Sequence, residues 1–412
     1  MRKNIYIFNE EGIAAMYGIG TFMKSLERCF SGSSLYNFTL IKLNSSTNEV
    51  TSYFNEGISI IDIPRVKYSS QKEQRIYYEK IVYLLRQLIP YYDRGNVFLF
   101  NYQCNGQMIP LLKKYYRKSQ MIFIIHYLNW TLEIQGNTSL FKSIINQGSD
   151  ELKTEKERKI YQQFQEGLNT FNQSDKIVCL SQYTKQLLSE AYNIQCKKIY
   201  LIRNGLQDNA TILREEEKNK LKKSLYFNEE EKLILYVGRL DKYKGGAELL
   251  EAFRILLENN SNFRLIIIGS GNDSIYFQQT ENIWSKVIFT GRIDKDLVYK
   301  FYQIADVGVI PSFSEQCSYV AIEMMMHGLP IVGTDSTGLS EMILDGINGY
   351  KVNLKESEDS VILDSSELSE SIKKIINNPK HQKRLSEGAR HQYLSKYTFD
   401  LVKKKYNNIL RK

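Results

Sequence analysis

Residues 311–335 read PSFSEQCSYVAIEMMMHGLPIVGTD, and this stretch decides the fold. A strand ends at Pro311, a loop carries Glu315, a helix covers 318–327, and a second strand begins at Pro330. The helix carries Glu323, followed by Met324, Met325 and Met326, the composition of a largely buried helix. A buried carboxylate needs a partner. The first free N–H groups belong to Ser318, Tyr319 and Val320, whose donors and dipole favour a phosphate. Two carboxylates beside such a helix end suggest a site for a charged, hydroxyl-rich ligand.

The same alternation extends in both directions. In the second half, strands are expected at 233–237, 263–268, 287–290, 307–311, 330–333 and 349–352, with helices at 246–257, 295–304, 318–327 and 366–377. In the first half, short β-branched and aromatic runs predict strands at 4–9, 38–43, 58–63, 97–101, 121–128, 176–181 and 198–202. Helical patterns at 20–30, 74–89 and 153–170 lie between them, and a last amphipathic stretch follows Pro379. The fold class is therefore α/β, with two Rossmann-like doubly wound domains facing each other across a cleft. Ligands in such sheets sit at the carboxyl ends of the strands. The run QDNATILREEEKNKLKKSLYFNEEE at 207–231 is polar and charge-dense, as a linker and surface helix should be. The expected division is 1–206, the linker 207–231, a second domain 232–385, and a C-terminal helix 386–412 returning to the first domain.

Composition narrows the class. At 412 residues with 42% hydrophobic content, the chain can fill two cores. No apolar run approaches the roughly 18–20 residues of a membrane span. The opening MRKNIYIFNEEG lacks the long apolar segment of a signal peptide and reads as a first strand. Five scattered cysteines, without CxxC spacing, argue for free thiols in a reducing, cytoplasmic setting. The net charge of +9 is confined to the first half. Residues 1–205 hold 26 Lys and Arg against 17 Asp and Glu, whereas 206–412 hold 29 of each. A basic first half offers a peripheral contact with an anionic membrane or an acidic acceptor. Its basic residues are not interleaved with aromatic stacking motifs, which excludes a nucleic-acid partner.

Further motifs carry chemistry. Residues 237–246, VGRLDKYKGG, leave a strand, turn through a basic loop and open a helix. Arg239 and Lys244 can converge there on one anion, offsetting the charge of a leaving diphosphate. No DxD-type metal motif stands on a suitable loop, so no metal and no cofactor is expected. Gly18 and Gly20 flank a helix start after the first strand, where backbone amides can approach a phosphate or sugar. His126 ends an apolar strand and is placed to hydrogen-bond a transferred group or to be structural. Ser181, Asn204-Gly205 and Gly269-Ser270-Gly271 also stand at strand ends, as turns or as contacts.

Together these residues resemble the family-4 glycosyltransferases, retaining nucleotide-sugar-dependent enzymes of the GT-B fold. The resemblance runs through 236–245, 267–271, 290–292, 297–305, 311–330, 334–341 and 345–349. The first half matches loosely, at 18–20, His126, Ser181 and Asn204-Gly205. By this resemblance Arg239 and Lys244 bind the donor diphosphate, Glu323 the ribose, and Glu315 the transferred sugar, with His126 on the opposite wall. Gly18, Gly20, Gly269, Arg292, Gln316, Cys317, Ser318 and Tyr319 complete the donor contacts. Gln316-Cys317-Ser318 replaces the family's Gly-Phe-Gly after the first glutamate, and side chains stand where backbone would near the sugar. The implied reaction moves a hexose or N-acetylhexosamine, from a UDP-sugar ahead of a GDP-sugar, to a glycan, lipid-linked or peptide acceptor. A sugar-nucleotide epimerase or hydrolase on the same frame, or a non-catalytic partner subunit, is the competing reading.

Overall fold

The computed structural model describes residues 2–10, 18–89, 95–258, 262–271, 273–357 and 360–411. The chain divides into two compact units. One comprises Met1–Asn129, Gln147–Ile202 and Lys403–Lys412; the other comprises Trp130–Asn146 and Arg203–Val402.

The first unit is built on β1 (Lys3–Glu10), β2 (Tyr36–Ser45), β3 (Thr51–Asn55), β4 (Ile58–Pro64), β5 (Asn96–Phe100), β6 (Gln120–Ile125), β7 (Lys176–Cys179) and β8 (Ile199–Leu201). Their order is β3-β4-β2-β1-β5-β6-β7-β8, parallel throughout except for β3 against β4. The inner strands are apolar on both faces, as strands buried on both sides must be. Tyr6 stacks on Phe98 and Phe8 on Phe100 across the β1–β5 pair, at 5.3 and 5.0 Å. β3 was not expected. Its sequence TSYFN has no apolar run, and Tyr53 and Phe54 stay exposed on the sheet edge. The C-terminal segment seals this unit. Tyr406 is fully buried beside Phe22 and Phe30. Lys176 and Lys3 donate to the last-turn carbonyls of Ile409 and Leu410, at 2.7 and 2.5 Å.

The second unit holds β9 (Lys232–Val237), β10 (Phe263–Ile268), β11 (Val287–Gly291), β12 (Val307–Ile310), β13 (Ile331–Thr334) and β14 (Gly349–Val352), then the hairpin β15 (Leu354–Glu356) and β16 (Val361–Leu363). The order is β11-β10-β9-β12-β13-β14, all parallel. The strand order reverses between β9 and β12. In parallel sheets, the carboxyl-end loops at such a reversal are where ligands bind.

Three features differ from the expected division. Residues 130–146 pack with the second unit rather than with the rest of 1–206. Asn137 Nδ2 donates to Ser357 O at 2.8 Å. The carboxylate of Glu356 accepts the Thr138 and Ser139 amides, at 3.1 and 3.2 Å, where the helix Thr138–Gln147 begins. A carboxylate at a helix N-terminus satisfies orphan donors and complements the dipole. The chain after Pro379 forms two helices, Pro379–Lys396 and Phe399–Arg411, and only 403–412 belong to the first unit. Within 207–231, the helix Glu215–Ser224 is not merely superficial. Lys222 is 3% exposed and, with Lys218, lies 3.5 Å from the buried Asp306.

Candidate functional site

The loops after β9 and β12 are shaped by backbone contacts first. Tyr236 donates its hydroxyl to Arg239 O at 2.6 Å, fixing the start of the loop after β9. Asp241 folds the rest. It accepts from Tyr243 N at 2.9 Å, and its other oxygen lies 3.2 Å from Arg239 Nη2. Gly245 closes the loop at φ +68°, and a Cβ there would lie 2.1 Å from Pro311 O. Only glycine allows both that conformation and that approach. At the next strand end, Gly269 has φ +142°, and a Cβ would lie 1.8 Å from Gly238 O. Gly269 is thus explained by backbone crossing backbone at the rim.

The loop after β12 meets the loop after β9. Phe313 N donates to Tyr243 O at 3.0 Å. Lys244 Nζ donates to Glu315 Oε1 at 2.5 Å, with the two side chains 22% and 17% exposed. Partial burial strengthens this charge-assisted bond relative to one in water. The main chain of Glu315 is clamped independently of its side chain. Its N–H donates to Thr337 Oγ1 at 2.9 Å, and its carbonyl accepts from Thr337 Oγ1 at 2.5 Å and Gly338 N at 2.7 Å. Thr337 is held at φ +33° to do so.

The residues that depart from the family pattern are buried. Gln316, Cys317 and Ser318 are each under a tenth exposed. Cys317 O accepts from Asn204 Nδ2 at 2.8 Å. The neighbouring Arg203 pairs with Glu341 at 2.5 Å. Burial pushes the Cys317 thiol up to about 12, so it is a protonated packing group and no nucleophile. Ser318 caps the helix Tyr319–Met326, its hydroxyl accepting from Ala321 N at 3.3 Å. Tyr319 opens that helix and is half-buried.

Glu323 is engaged by a second helix. It is 3% exposed and points at the helix Lys295–Ile304. Lys295 Nζ pairs with one carboxylate oxygen, and Tyr302 donates to the other at 2.9 Å. Arg292 lies exposed on the turn between β11 and that helix. Among the described residues, no group of three or more His, Cys, Asp or Glu side chains is arranged to hold a metal ion.

Residues 217–392 match the family model for glycosyl transferases group 1. The chain carries a group 1 glycosyltransferase domain. An uncharacterized glycosyltransferase of Methanocaldococcus jannaschii is 30% identical over 251 residues, 60% of this chain and 62% of that protein. The lipopolysaccharide 1,2-N-acetylglucosaminetransferase of Salmonella typhimurium is 28% identical over 247 residues, 57% of this chain and 62% of that protein. The chain therefore spans about three-fifths of the length of these curated relatives. Solved structures match over the whole length. Sucrose-phosphate synthase from Thermosynechococcus elongatus superposes with a TM-score of 0.76 at 17% identity, covering 100% of this chain and 98% of that one. Anabaena HepE in complex with UDP and glucose superposes with a TM-score of 0.71 at 15% identity, covering 100% of both chains. At such identities the likeness is one of fold, and that fold is GT-B, with two Rossmann-like domains.

In this domain, the structure brings Lys244 and Glu315 together and pairs Arg239 with Asp241 on the loop after β9. It sets Glu323 against a different helix. Sequence reasoning passed over Asp241, Thr337, Lys295 and Tyr302. Lys295 and Tyr302 stand two turns apart on one helix face, a spacing that signals a shared task only once their target is known. Asn204-Gly205, read as a turn or a ligand contact, is a structural joint. Asn204 holds Cys317, and a Cβ at Gly205 would strike Val402 and Tyr397 O, at 2.6 and 2.8 Å.

The remaining expected residues lie in the first unit. Gly18 and Gly20 stand in the first turn of the helix Gly18–Phe30. Residues 11–17, which precede them, are outside the described residues. Ser181 caps the helix Gln182–Glu190, accepting from Thr184 N at 3.1 Å. His126 follows β6, edge-on to Phe22 at 4.5 Å, with Nε2 3.3 Å from Asn101 Oδ1. Burial lowers its pKa to about 3, so the ring is neutral, and an Nε2 proton suits the Asn101 carbonyl. His126 is therefore a neutral hydrogen-bonding group at working pH. An unfolded His titrates near 6.5, above the folded value. The unfolded chain then binds the extra proton first, and stability is lost as pH falls from about 6.5 towards 3. Thermal melts of His126→Asn should show a flatter acid limb than wild type over that window. Parallel limbs would overturn the neutral assignment.

Proposed function

We propose that the chain transfers a hexose or N-acetylhexosamine from a nucleoside diphosphate sugar to a glycan, lipid-linked or peptide acceptor. Transfer proceeds with retention at the anomeric carbon and without a metal ion. The observation that carries this reading is the meeting of Lys244 and Glu315 at 2.5 Å, a cation from the loop after β9 and a carboxylate from the loop after β12. A diphosphate joined to a polyhydroxyl ring is the ligand that needs both at once. The relatives add detail by analogy. The Salmonella typhimurium relative is named for N-acetylglucosamine transfer, and HepE was solved with UDP and with UDP-glucose. A UDP-sugar is accordingly favoured over a GDP-sugar.

In the proposed reaction, the bond from the anomeric carbon to the β-phosphate oxygen breaks, and its electron pair stays on the phosphate. The acceptor oxygen bonds to the same face of the sugar through a short-lived oxocarbenium ion, and its proton passes to the departing phosphate oxygen. Lys244 and Arg239 offset the charge that develops on the diphosphate. The amides at Ser318 and Tyr319 add the helix dipole. Glu315 holds a sugar hydroxyl and positions Lys244; it is not a nucleophile. Glu323 holds the ribose. The basic first half meets an acidic acceptor or, at the cytoplasmic face, an anionic membrane surface. Among the described residues, no helix is long and apolar enough to cross a membrane.

Calorimetry with UDP-, GDP- and ADP-sugars, followed by a mass-spectrometric acceptor search, tests the reading. We expect a UDP-sugar to bind, the product to keep the donor's anomeric configuration, and the rate to be the same in EDTA as in magnesium. Binding of no nucleotide sugar, or release of free sugar alone in the presence of acceptors, would overturn the transfer. An inverted product overturns retention, and a rate abolished by EDTA overturns metal independence.

A further inference from the structure

The helix Tyr319–Met326, YVAIEMMM, has one charged residue, and that residue is buried. An apolar side chain at 323 would continue the pattern of the helix. A buried carboxylate–ammonium pair is on average no more stabilising than a well-packed apolar pair, because desolvation offsets the attraction. The fold alone thus gives no reason for Glu323, and its surroundings give one. Tyr302, 1% exposed, donates to one carboxylate oxygen at 2.9 Å and cannot move without disturbing the core. Lys295 pairs with the other oxygen, from the solvent side, with its own side chain 53% exposed and its head over the Tyr299 ring at 5.3 Å. An ionised carboxylate has about four acceptor positions. The two partners take one on each oxygen and leave one on each oxygen. Adjacent acceptors of that kind match the two hydroxyls of a vicinal cis-diol.

We infer that Lys295 and Tyr302 clamp Glu323 in the orientation that receives the ribose 2′- and 3′-hydroxyls, and that this clamp sets how strongly the site discriminates ribose from deoxyribose; the inference rests on the nucleotide-sugar reading above. Tyr302 fixes the rotamer. Lys295 stays in place when the diol arrives. Burial and the Glu323 charge hold the Tyr302 hydroxyl well above its ordinary pKa, so it remains a donor. Both are positioning residues, acting on the ligand through Glu323.

The test is calorimetric binding of UDP and of 2′-deoxy-UDP to wild type, Lys295→Met, Lys295→Arg and Tyr302→Phe. Wild type should prefer UDP by about tenfold or more, the discrimination of a buried acceptor against a ligand lacking its hydroxyl. Lys295→Met and Tyr302→Phe should bring that ratio towards one, chiefly by weakening UDP, while Lys295→Arg keeps it. The half-exposed Lys295 site tolerates substitution, so one arm survives even if Tyr302→Phe perturbs the core. Unchanged ratios in both variants overturn the inference. So does equal weakening of both ligands, which would mark a general electrostatic or structural role. A wild type that binds UDP without preferring it overturns the ribose assignment and with it this inference, and leaves the transferase reading standing. A wild type that binds no nucleoside diphosphate overturns the transferase reading and this inference together.

Discussion

Lys244→Ala is expected to lower kcat/KM by about 10²–10³-fold, as the loss of one preorganised group facing developing oxyanion charge does. The reason lies in where the side chain starts. Lys244 leaves the turn folded by Asp241 and directly precedes Gly245, whose backbone lies against Pro311. Its ammonium is thus delivered to Glu315 by two loops braced on each other, and little ordering remains for the moment of reaction. Truncation removes the cation and also leaves Glu315 uncompensated beside an incoming diphosphate, which adds like-charge repulsion. Arg239→Ala should cost roughly 3–4 kcal/mol of transition-state stabilisation by the same mechanism. The double variant should lose less than the sum, because both groups act on one anion. The folded state should be little changed, since a part-exposed ion pair contributes at most about 1 kcal/mol. Steady-state kinetics beside a thermal melt separate the two effects. Wild-type turnover in either single variant would remove that residue from the reaction.

Glu315→Gln should be the more damaging change, lowering kcat by about 10³-fold while leaving donor affinity within the same order of magnitude. The amide preserves the size of the side chain, and the loop is held through main-chain atoms. Thr337 and Gly338 clamp the Glu315 backbone whatever its side chain carries. What is lost is charge. Without it Lys244 keeps only a neutral acceptor and is held less firmly, and the sugar loses a charged acceptor that strengthens a hydroxyl contact. A fall in kcat without a matching rise in the donor Kd places the effect in the transition state. A variant that turns over at the wild-type rate would show that Glu315 only shapes the loop. A variant that merely binds donor more weakly would assign it to ground-state binding.

Much of the candidate site is legible in the sequence. The apolar runs of β5, β6, β9 and β10 announce strands buried on both faces, and ligand loops follow strand ends. Arg239, Lys244, Glu315 and the segment from Gln316 to Tyr319 stand out as candidates because they lie on such loops. Helix caps such as Ser318 are local and were legible for the same reason. β3 was missed because TSYFN mixes polar and aromatic residues without a run, and its strand state comes only from pairing with β4.

Contacts between distant residues were not legible. Glu356 is 218 residues from the Thr138 amide it accepts, and that bond helps draw 130–146 to the second unit against every cue of chain order. Glu323 carried a clear sequence message, a carboxylate that must have a partner, but the partner proved to be Lys295 and Tyr302, on another helix. The sequence by itself determined the layered α/β class, the strand cores and the loops that bear chemistry, because period, turn residues and caps act within a few residues of chain. Tertiary structure alone decided which side chains face one another, because strand order and helix packing set those distances. Lys244 and Glu315 are 71 residues apart in the chain and meet because β9 and β12 are neighbours in the sheet.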